Sequence, residues 1–387
     1  MKVALIVGTR PNIVKAAPLM RQFRHYSNEF DIFLIHTGQH YSHNLSQGLI
    51  SELELPDPDS LLSVGSGTHA QQTAESILQL ESCFLDLKPD LVIVFGDVNS
   101  TMAAAMTASK LHIKVAHVEA GLRSFNTSMP EEVNRLVTDH LSDFLFVSEE
   151  SGVDNLIREG IPADKIFYSG NIMIDSLVWC LREKTSTTIL EDLQLRPYSY
   201  AVLTLHRPSN VDDRTTLNRI IRAMIQIAET HPVVFPCHPR TLHRIESFGI
   251  LPKIDASNIQ LMEPASYGDF LWLQSNSKVV FTDSGGVQEE TTYLGTPCVT
   301  FRENTERPST VEIGSSVLCG TNICSILEAA KSAFSTGRKK TNIPPLWDGI
   351  TAHRIVQAIR QRLIASSGND QETSWCTEQG EMLGDRC

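Results

Sequence analysis

The sequence predicts an α/β protein of two doubly wound domains in tandem, facing each other across a cleft. Three observations lead there. Short apolar runs alternate with amphipathic stretches along most of the chain, which is the pattern of buried parallel strands and covering helices. The alternation comes as two series separated by an irregular stretch around Glu183–Ser199, and polar residues collect where the apolar runs end.

Val3–Val7 (VALIV) reads as a buried strand, GTRP as a turn and Asn12–Arg24 as a helix. Pro11 falls near that helix's first turn, where a missing N–H costs little. Strands follow at Ile32–His36, Leu91–Phe95, Val115–Val118 and Phe144–Val147, with helices over His69–Leu87, from Ser100, and over Glu131–Ser142. The second series has strands at Tyr200–Leu205, Val233–Pro236, Lys278–Thr282 and Cys298–Phe301. Its helices span Thr215–Thr230, Tyr267–Gln274 and Val287–Leu294. The expected domains are therefore 1–180 and 195–350, followed by a helix over 351–364 that packs back on the first domain. The polar, aperiodic segment 365–387 is expected to be a disordered tail.

Composition excludes several classes of function. At 387 residues, 41% hydrophobic and 20% charged, the chain has the make-up of a folded globular protein. A net charge of -12, from 45 acidic and 33 basic side chains, argues against a nucleic-acid partner, which needs a basic face. Any anionic ligand must be held by a few placed cations. No run approaches the roughly 18 apolar residues of a membrane span, and the N-terminal run is too short for a signal peptide, so a cytoplasmic protein is expected. The eight cysteines form no CxxC pair and share no metal-ligand spacing with histidine; reduced thiols and no metal are expected.

The polar strand ends are the candidates for chemistry. Asp97 follows LVIVFG, Glu119 follows KVAHV, His206 follows YAVLTL, and Asp283-Ser284-Gly285-Gly286 follows KVVFT. In FTDSGGVQEE, two glycines between strand and helix let backbone N–H groups approach an anion, and the helix N-terminus favours negative charge. Glu290, one turn in, suits a ribose diol. The competing reading is a tight turn with acids for capping. Arg10 and Lys15 stand at the carboxyl end of the first strand, placed for phosphate oxygens or simply solvated. Asp97, Glu119 and Glu131 are acid–base candidates, because proton exchange at carbon needs one group to remove a proton and another to return it. Their structural alternatives are a helix cap for Asp97, a contact with Arg123 for Glu119 and helix-dipole compensation for Glu131. His206 suits a phosphate or a proton shuttle, although a lone histidine is usually structural. Neither GxGxxG nor GxxxxGK[ST] occurs at the first turn, against a dinucleotide cofactor or a P-loop.

With these segments in view, the chain resembles the non-hydrolysing UDP-N-acetylglucosamine 2-epimerases. The matching stretches are GTRPNIVKAAPLM, HTGQHY, GDVNST, HVEAGLRSF with MPEEVNR, SGNIMIDSL, LTLHRPSN and DSGGVQEETTYLGTPCVTFRENTERP, in family order over nearly all of Lys2–Ile364. The resemblance implies two Rossmann-like domains of the GT-B type, a homodimer and no metal or nicotinamide cofactor. It implies inversion at C2 of UDP-GlcNAc through loss of UDP to a 2-acetamidoglucal and re-addition. By motif, Asp97, Glu119 and Glu131 look like the acid–base set with His206 near the leaving diphosphate. Arg10, Lys15, Ser284, Gly285, Gly286 and Glu290 look like UDP contacts, with Phe270 near the uracil and Arg307 completing the site.

Departures from the pattern are Asn12 in place of an acid, and Pro208 and Ser209 where Arg and Glu are usual, with Asn210 kept. VGSGTHAQQT stands where the family carries a regulatory glutamine turn. These leave a diacetamido or uronic UDP-sugar among the substrates to be considered. A hydrolysing 2-epimerase, a GT-B glycosyltransferase and a non-catalytic nucleotide-sugar sensor are the rival readings.

Overall fold

The structure, a computed structural model, describes residues 1–39, 43–183, 187–338 and 342–364. The expected tail over 365–387 lies outside the described residues. The first sheet comprises β1 (Lys2–Val7), β2 (Asp31–His36), β3 (Ser60–Leu61), β4 (Leu91–Phe95), β5 (Lys114–Ala120), β6 (Phe144–Val147) and β7 (Ile166–Tyr168). The second comprises β8 (Ala201–Thr204), β9 (Val233–Pro236), β10 (Ile259–Met262), β11 (Val279–Thr282), β12 (Cys298–Thr300) and β13 (Ser316–Leu318). Every pairing is parallel, in the orders β3-β2-β1-β4-β5-β6-β7 and β10-β9-β8-β11-β12-β13. Parallel strands need crossover helices on both faces, so the central strands are buried on both sides; each residue of Leu91–Phe95 has no exposed surface.

Sequence periodicity places most elements to within one or two residues. The helix expected from Asn12 begins at Arg10 because Thr9 and Asn12 form a capping box, with Pro11 in the first turn. Asn12 also donates to the Phe95 carbonyl at 2.9 Å, which joins the carboxyl ends of β1 and β4. That is a task the amide performs and a carboxylate could not, since it needs a donor. Pro18 lies inside the same helix and cannot bond the Val14 carbonyl, a defect of about 3 kcal/mol if left open. Ser176 Oγ takes that carbonyl at 2.6 Å and so pins helix Ile172–Glu183 against helix Arg10–Arg24.

The final helix, Thr351–Leu363, runs beside the first sheet rather than the second. Asp175 accepts its first two N–H groups, from Thr351 at 3.0 Å and Ala352 at 2.8 Å, and Arg360 grips Glu29 through two 2.7 Å bonds. The buried Trp347 donates to the Ser148 carbonyl at 2.9 Å just before it.

Candidate functional site

In both sheets the strand order reverses beside the first strand, between β1 and β4 and between β8 and β11. At such a switch point the adjacent loops part in opposite directions and leave a crevice at the carboxyl ends of the strands. Arg10 and Asp97 follow the first pair of strands, His206 and Asp283 the second. The two crevices face each other, since side chains from one reach carboxylates of the other.

On the first sheet, Glu119 is aimed by a β-bulge. The β5–β6 register shifts between Val118 and Ala120, and Glu119 takes φ +76°, a conformation few side chains adopt. Its buried carboxylate receives the Lys15 ammonium on one oxygen. Gly96 permits this approach: with φ +61°, a Cβ there would lie 2.9 Å from Lys15 Nζ. Asp97 pairs with Arg135. Burial opposes its charge, but Arg135, Lys15 and Arg307 hold its carboxyl below the ordinary range. It does not cap the following helix, whose N-cap is Val98. Glu131 stands half-buried on the first turn of helix Pro130–Leu141, next to Glu132, which pairs with Arg135 at 2.7 Å. Nor does Arg123 serve Glu119; it is taken by Asp139 at 2.7 Å and Glu159 at 2.7 Å.

On the second sheet, Asp283 is fully buried and accepts the backbone N–H of Arg207 at 3.0 Å and His206 Nδ1 at 3.0 Å. Against burial, His206 and these N–H groups hold its carboxyl below the ordinary range. The carboxylate orients the imidazole and leaves Nε2 for a ligand. Ser284 is the N-cap of helix Gly285–Leu294, with Gly285 and Gly286 in the first turn. Gly285 is required by close approach: a Cβ would lie 2.4 Å from Arg307 Nη1. Arg10 is half-buried; burial lowers its pKa against the pull of Glu52.

Arg307 is the centre of the arrangement. Its guanidinium meets Glu119 Oε1 at 2.8 Å, Glu289 Oε1 at 2.8 Å and the Glu306 carboxylate. Glu306 is shared with Arg302 at 2.5 Å and Arg207 at 3.5 Å, and despite burial these guanidiniums keep it well below the ordinary carboxylate range. Glu289 also accepts Asn171 Nδ2 at 2.9 Å, from the first domain's side of the cleft. Glu149 stands nearby; burial, with the charge of Glu289, pushes its carboxyl up to about 7. Burial likewise raises Glu289. The cleft therefore combines a carboxylate held ionised with carboxyls pushed toward neutrality, which is the separation that acid–base work requires.

Glu290, the residue expected at a ribose, is turned toward helix Tyr267–Asn276, where it accepts Gln274 Nε2 at 2.7 Å, and burial pushes it up to about 7. Phe270 lies on that same helix, partly buried. Thus the structure gathers Asp97, Lys15, Glu119, Gly285 and Arg307 at one place, sets His206 on Asp283, and puts Glu290 and Phe270 together at helix Tyr267–Asn276. Sequence reasoning missed Glu289, Glu306, Arg135 and Glu149. Glu289 and Glu306 adjoin residues it did choose, Glu290 and Arg307; Arg135 and Glu149 carried no local signal.

Among the described residues, no group of three His, Cys, Asp or Glu could hold a metal ion, and no helix is long and apolar enough to cross a membrane. Two facing parallel sheets with this cleft form a GT-B type fold.

Known proteins resemble this chain over most of its length. The family model described as UDP-N-acetylglucosamine 2-epimerase matches residues 24–360. The chain is 41% identical to the UDP-N-acetylglucosamine 2-epimerase of Methanocaldococcus jannaschii, over 93% of this chain and 99% of that protein. The crystal structure of a Methanocaldococcus jannaschii UDP-GlcNAc 2-epimerase, in complex with UDP-GlcNAc and UDP, superposes with a TM-score of 0.87, covering 93% of this chain and 99% of the other at 41% identity. The UDP-2,3-diacetamido-2,3-dideoxy-D-glucuronate 2-epimerase of Pseudomonas aeruginosa is 40% identical, over 86% of this chain and 92% of its own.

Proposed function

Because the chain belongs to the UDP-N-acetylglucosamine 2-epimerase family, we propose that it interconverts UDP-GlcNAc and UDP-ManNAc without net hydrolysis. The observation that carries this is the Arg307–Glu119 ion pair: a cation from the loop after β12 and a carboxylate from β5 meet in the cleft, which supports a diphosphate and a sugar held side by side there. In the proposed reaction a carboxylate of the set Asp97, Glu119 and Glu131 removes the C2 proton as the C1–O bond to UDP breaks, giving a 2-acetamidoglucal. UDP then re-adds at C1 while a second carboxyl protonates C2 from the opposite face. His206, with Nδ1 fixed by Asp283, stands at the leaving diphosphate. Arg10, Lys15, Ser284, Gly285, Gly286 and Arg307 bind the diphosphate, Glu290 the ribose and Phe270 the uracil. Domains over 1–180 and 195–350 close on the substrate, and the enzyme works in the cytoplasm as a homodimer without a cofactor.

Proton NMR of UDP-GlcNAc with the enzyme in deuterated buffer tests this. The expected result is UDP-ManNAc carrying deuterium at C2 with little free UDP. Stoichiometric UDP with free ManNAc would assign the hydrolysing branch, and an unchanged spectrum would sink the proposal for this sugar. A second reading, a C2 epimerase of a diacetamido UDP-uronate, is favoured by the Pseudomonas aeruginosa relative and by Pro208-Ser209 beside His206. Turnover of that sugar alone would establish it.

A further inference from the structure

Phe125 is held in a backbone conformation that its own side chain opposes. Its φ is +56°, in the left-handed region where Cβ crowds the carbonyl oxygen, and the residue is 71% exposed, so little packing within the chain offsets that strain. What imposes the conformation is Glu132. One of its oxygens accepts the N–H of Phe125 at 2.9 Å, the other the N–H and Oγ of Ser124, each at 2.9 Å. The same carboxylate pairs with Arg135, and Arg135 with Asp97. The loop carrying Phe125 leaves β5 at Ala120, one residue past Glu119, and enters helix Pro130–Leu141 one residue before Glu131. An exposed aromatic residue is thus mounted under strain in a loop that adjoins Glu119 and Glu131 in sequence and is linked through Glu132 and Arg135 to Asp97. Strain of this kind persists where the surroundings over-determine it, most often at functional sites.

The groups gathered at this end of the cleft, Asp97, Glu119, Lys15 and Arg307, are charged. They suit the diphosphate and the reacting C–H bond, but they offer nothing to the apolar C–H face of a hexose ring. We propose that Phe125 supplies that surface: its ring is the aromatic wall of the hexose subsite and a determinant of which UDP-sugar is accepted. The inference rests on the UDP-N-acetylhexosamine reading above and deepens it.

The test uses the full chain with Phe125→Ala, which keeps the strain and loses the ring, and Phe125→Gly, which loses both. Calorimetric titration with UDP and with UDP-GlcNAc is read beside steady-state kinetics and thermal unfolding. Both variants are expected to weaken UDP-GlcNAc binding and raise KM about tenfold, while UDP binding stays within about twofold. Only Phe125→Gly is expected to gain in Tm, because glycine accepts the left-handed conformation freely. Unchanged UDP-GlcNAc affinity in both variants, or equal losses for UDP and UDP-GlcNAc, would overturn the role of Phe125 and leave the enzyme reading intact. A loss of activity that tracks a change in sedimentation would assign the ring, with the neighbouring exposed Val133, to contact with a second copy, and would equally overturn it. A wild-type protein that binds UDP but not UDP-GlcNAc would remove both readings.

Discussion

Arg307 Nη2 lies 2.8 Å from Glu119 Oε1, a contact between the loop after β12 of one sheet and the bulge of β5 in the other. The pair is buried and the guanidinium is shared by three carboxylates, so its position depends on everything packed against it. An ion pair this deep adds little net stability, but breaking it leaves an uncompensated charge. Its value is geometric, in fixing the cleft side chains relative to each other.

Gly285 makes that geometry available, so Gly285→Ala is a sensitive probe. The new methyl would stand 2.4 Å from Arg307 Nη1, with the guanidinium carbon at 2.9 Å, and any retreat of the buried arginine would disturb its three carboxylate contacts. The expected outcome is a folded protein whose kcat/KM falls roughly a hundredfold, the effect of about an ångström of misplacement at a reacting centre. A fall below about threefold in steady-state assays would show that Arg307 need not stand here for turnover.

Closure of the cleft is predicted to depend on Glu52. This carboxylate, at the end of helix His43–Glu52 in the first domain, accepts the N–H of Tyr267 at 3.0 Å and of Gly268 at 2.5 Å, capping the helix that carries Phe270. A charge-assisted cap of this sort contributes about 1 kcal/mol, and it exists only while the two units touch. Glu52→Gln should therefore weaken UDP binding roughly three- to tenfold and enlarge the unliganded radius of gyration in small-angle scattering. Identical scattering and identical affinity would show that other contacts alone hold the closed form.

The pH dependence of stability has a sign set by Glu149. Its carboxyl is raised from an ordinary 4.5 to about 7, chiefly by burial, so the folded protein binds a proton that the unfolded chain has already released between those values. Stability from this group is full below about pH 4.5 and is lost as pH rises to about 7, where the loss levels off. The difference corresponds to ~3 kcal/mol at most. Glu290, also pushed up to about 7, contributes a slope of the same sign. Urea unfolding at pH 5.5 and 7.5 should show the wild type losing stability upward and Glu149→Gln losing less. A variant with an unchanged slope would place the proton elsewhere.

What the sequence conveys of this molecule follows the range of the interactions involved. Strands such as Leu91–Phe95, buried on both faces, read as continuous apolar runs, and the cleft positions of Asp97, Glu119 and His206 are legible because each lies within two residues of a strand's end. The strands β3, β7, β10 and β13 were missed: they are the edges of the two sheets and only partly buried, so they carry no continuously buried apolar run, unlike the equally short but fully buried β12. Helix Ile172–Glu183 was missed for the opposite reason. It is buried over most of its surface, with no clear polar face to mark a turn of 3.6 residues. In the cleft, the choice of Glu290 over Glu289 for the innermost role could not be made from adjacency. Consecutive helical residues differ by about 100° in direction, and only the packed helix shows that Glu289 faces Arg307 while Glu290 faces Gln274.

The pairing of His206 with Asp283, 77 residues apart, separates an orienting role from a structural one. Asp283 is fully buried and receives two backbone N–H groups besides the imidazole, whereas the His206 side chain is 44% exposed and packs little. His206→Gln should leave the unfolding free energy within about 0.5 kcal/mol of wild type, as surface changes usually do, and still lower kcat about a hundredfold by removing the group positioned at the leaving diphosphate. Asp283→Asn should lower kcat as much, because an amide cannot both accept those N–H groups and fix Nδ1–H. It should also cost ~1–3 kcal/mol, since buried donors lose their acceptor. Equal stability losses in the two variants would mean that the histidine is a packing element. A full kcat in His206→Gln would take it out of the chemistry altogether.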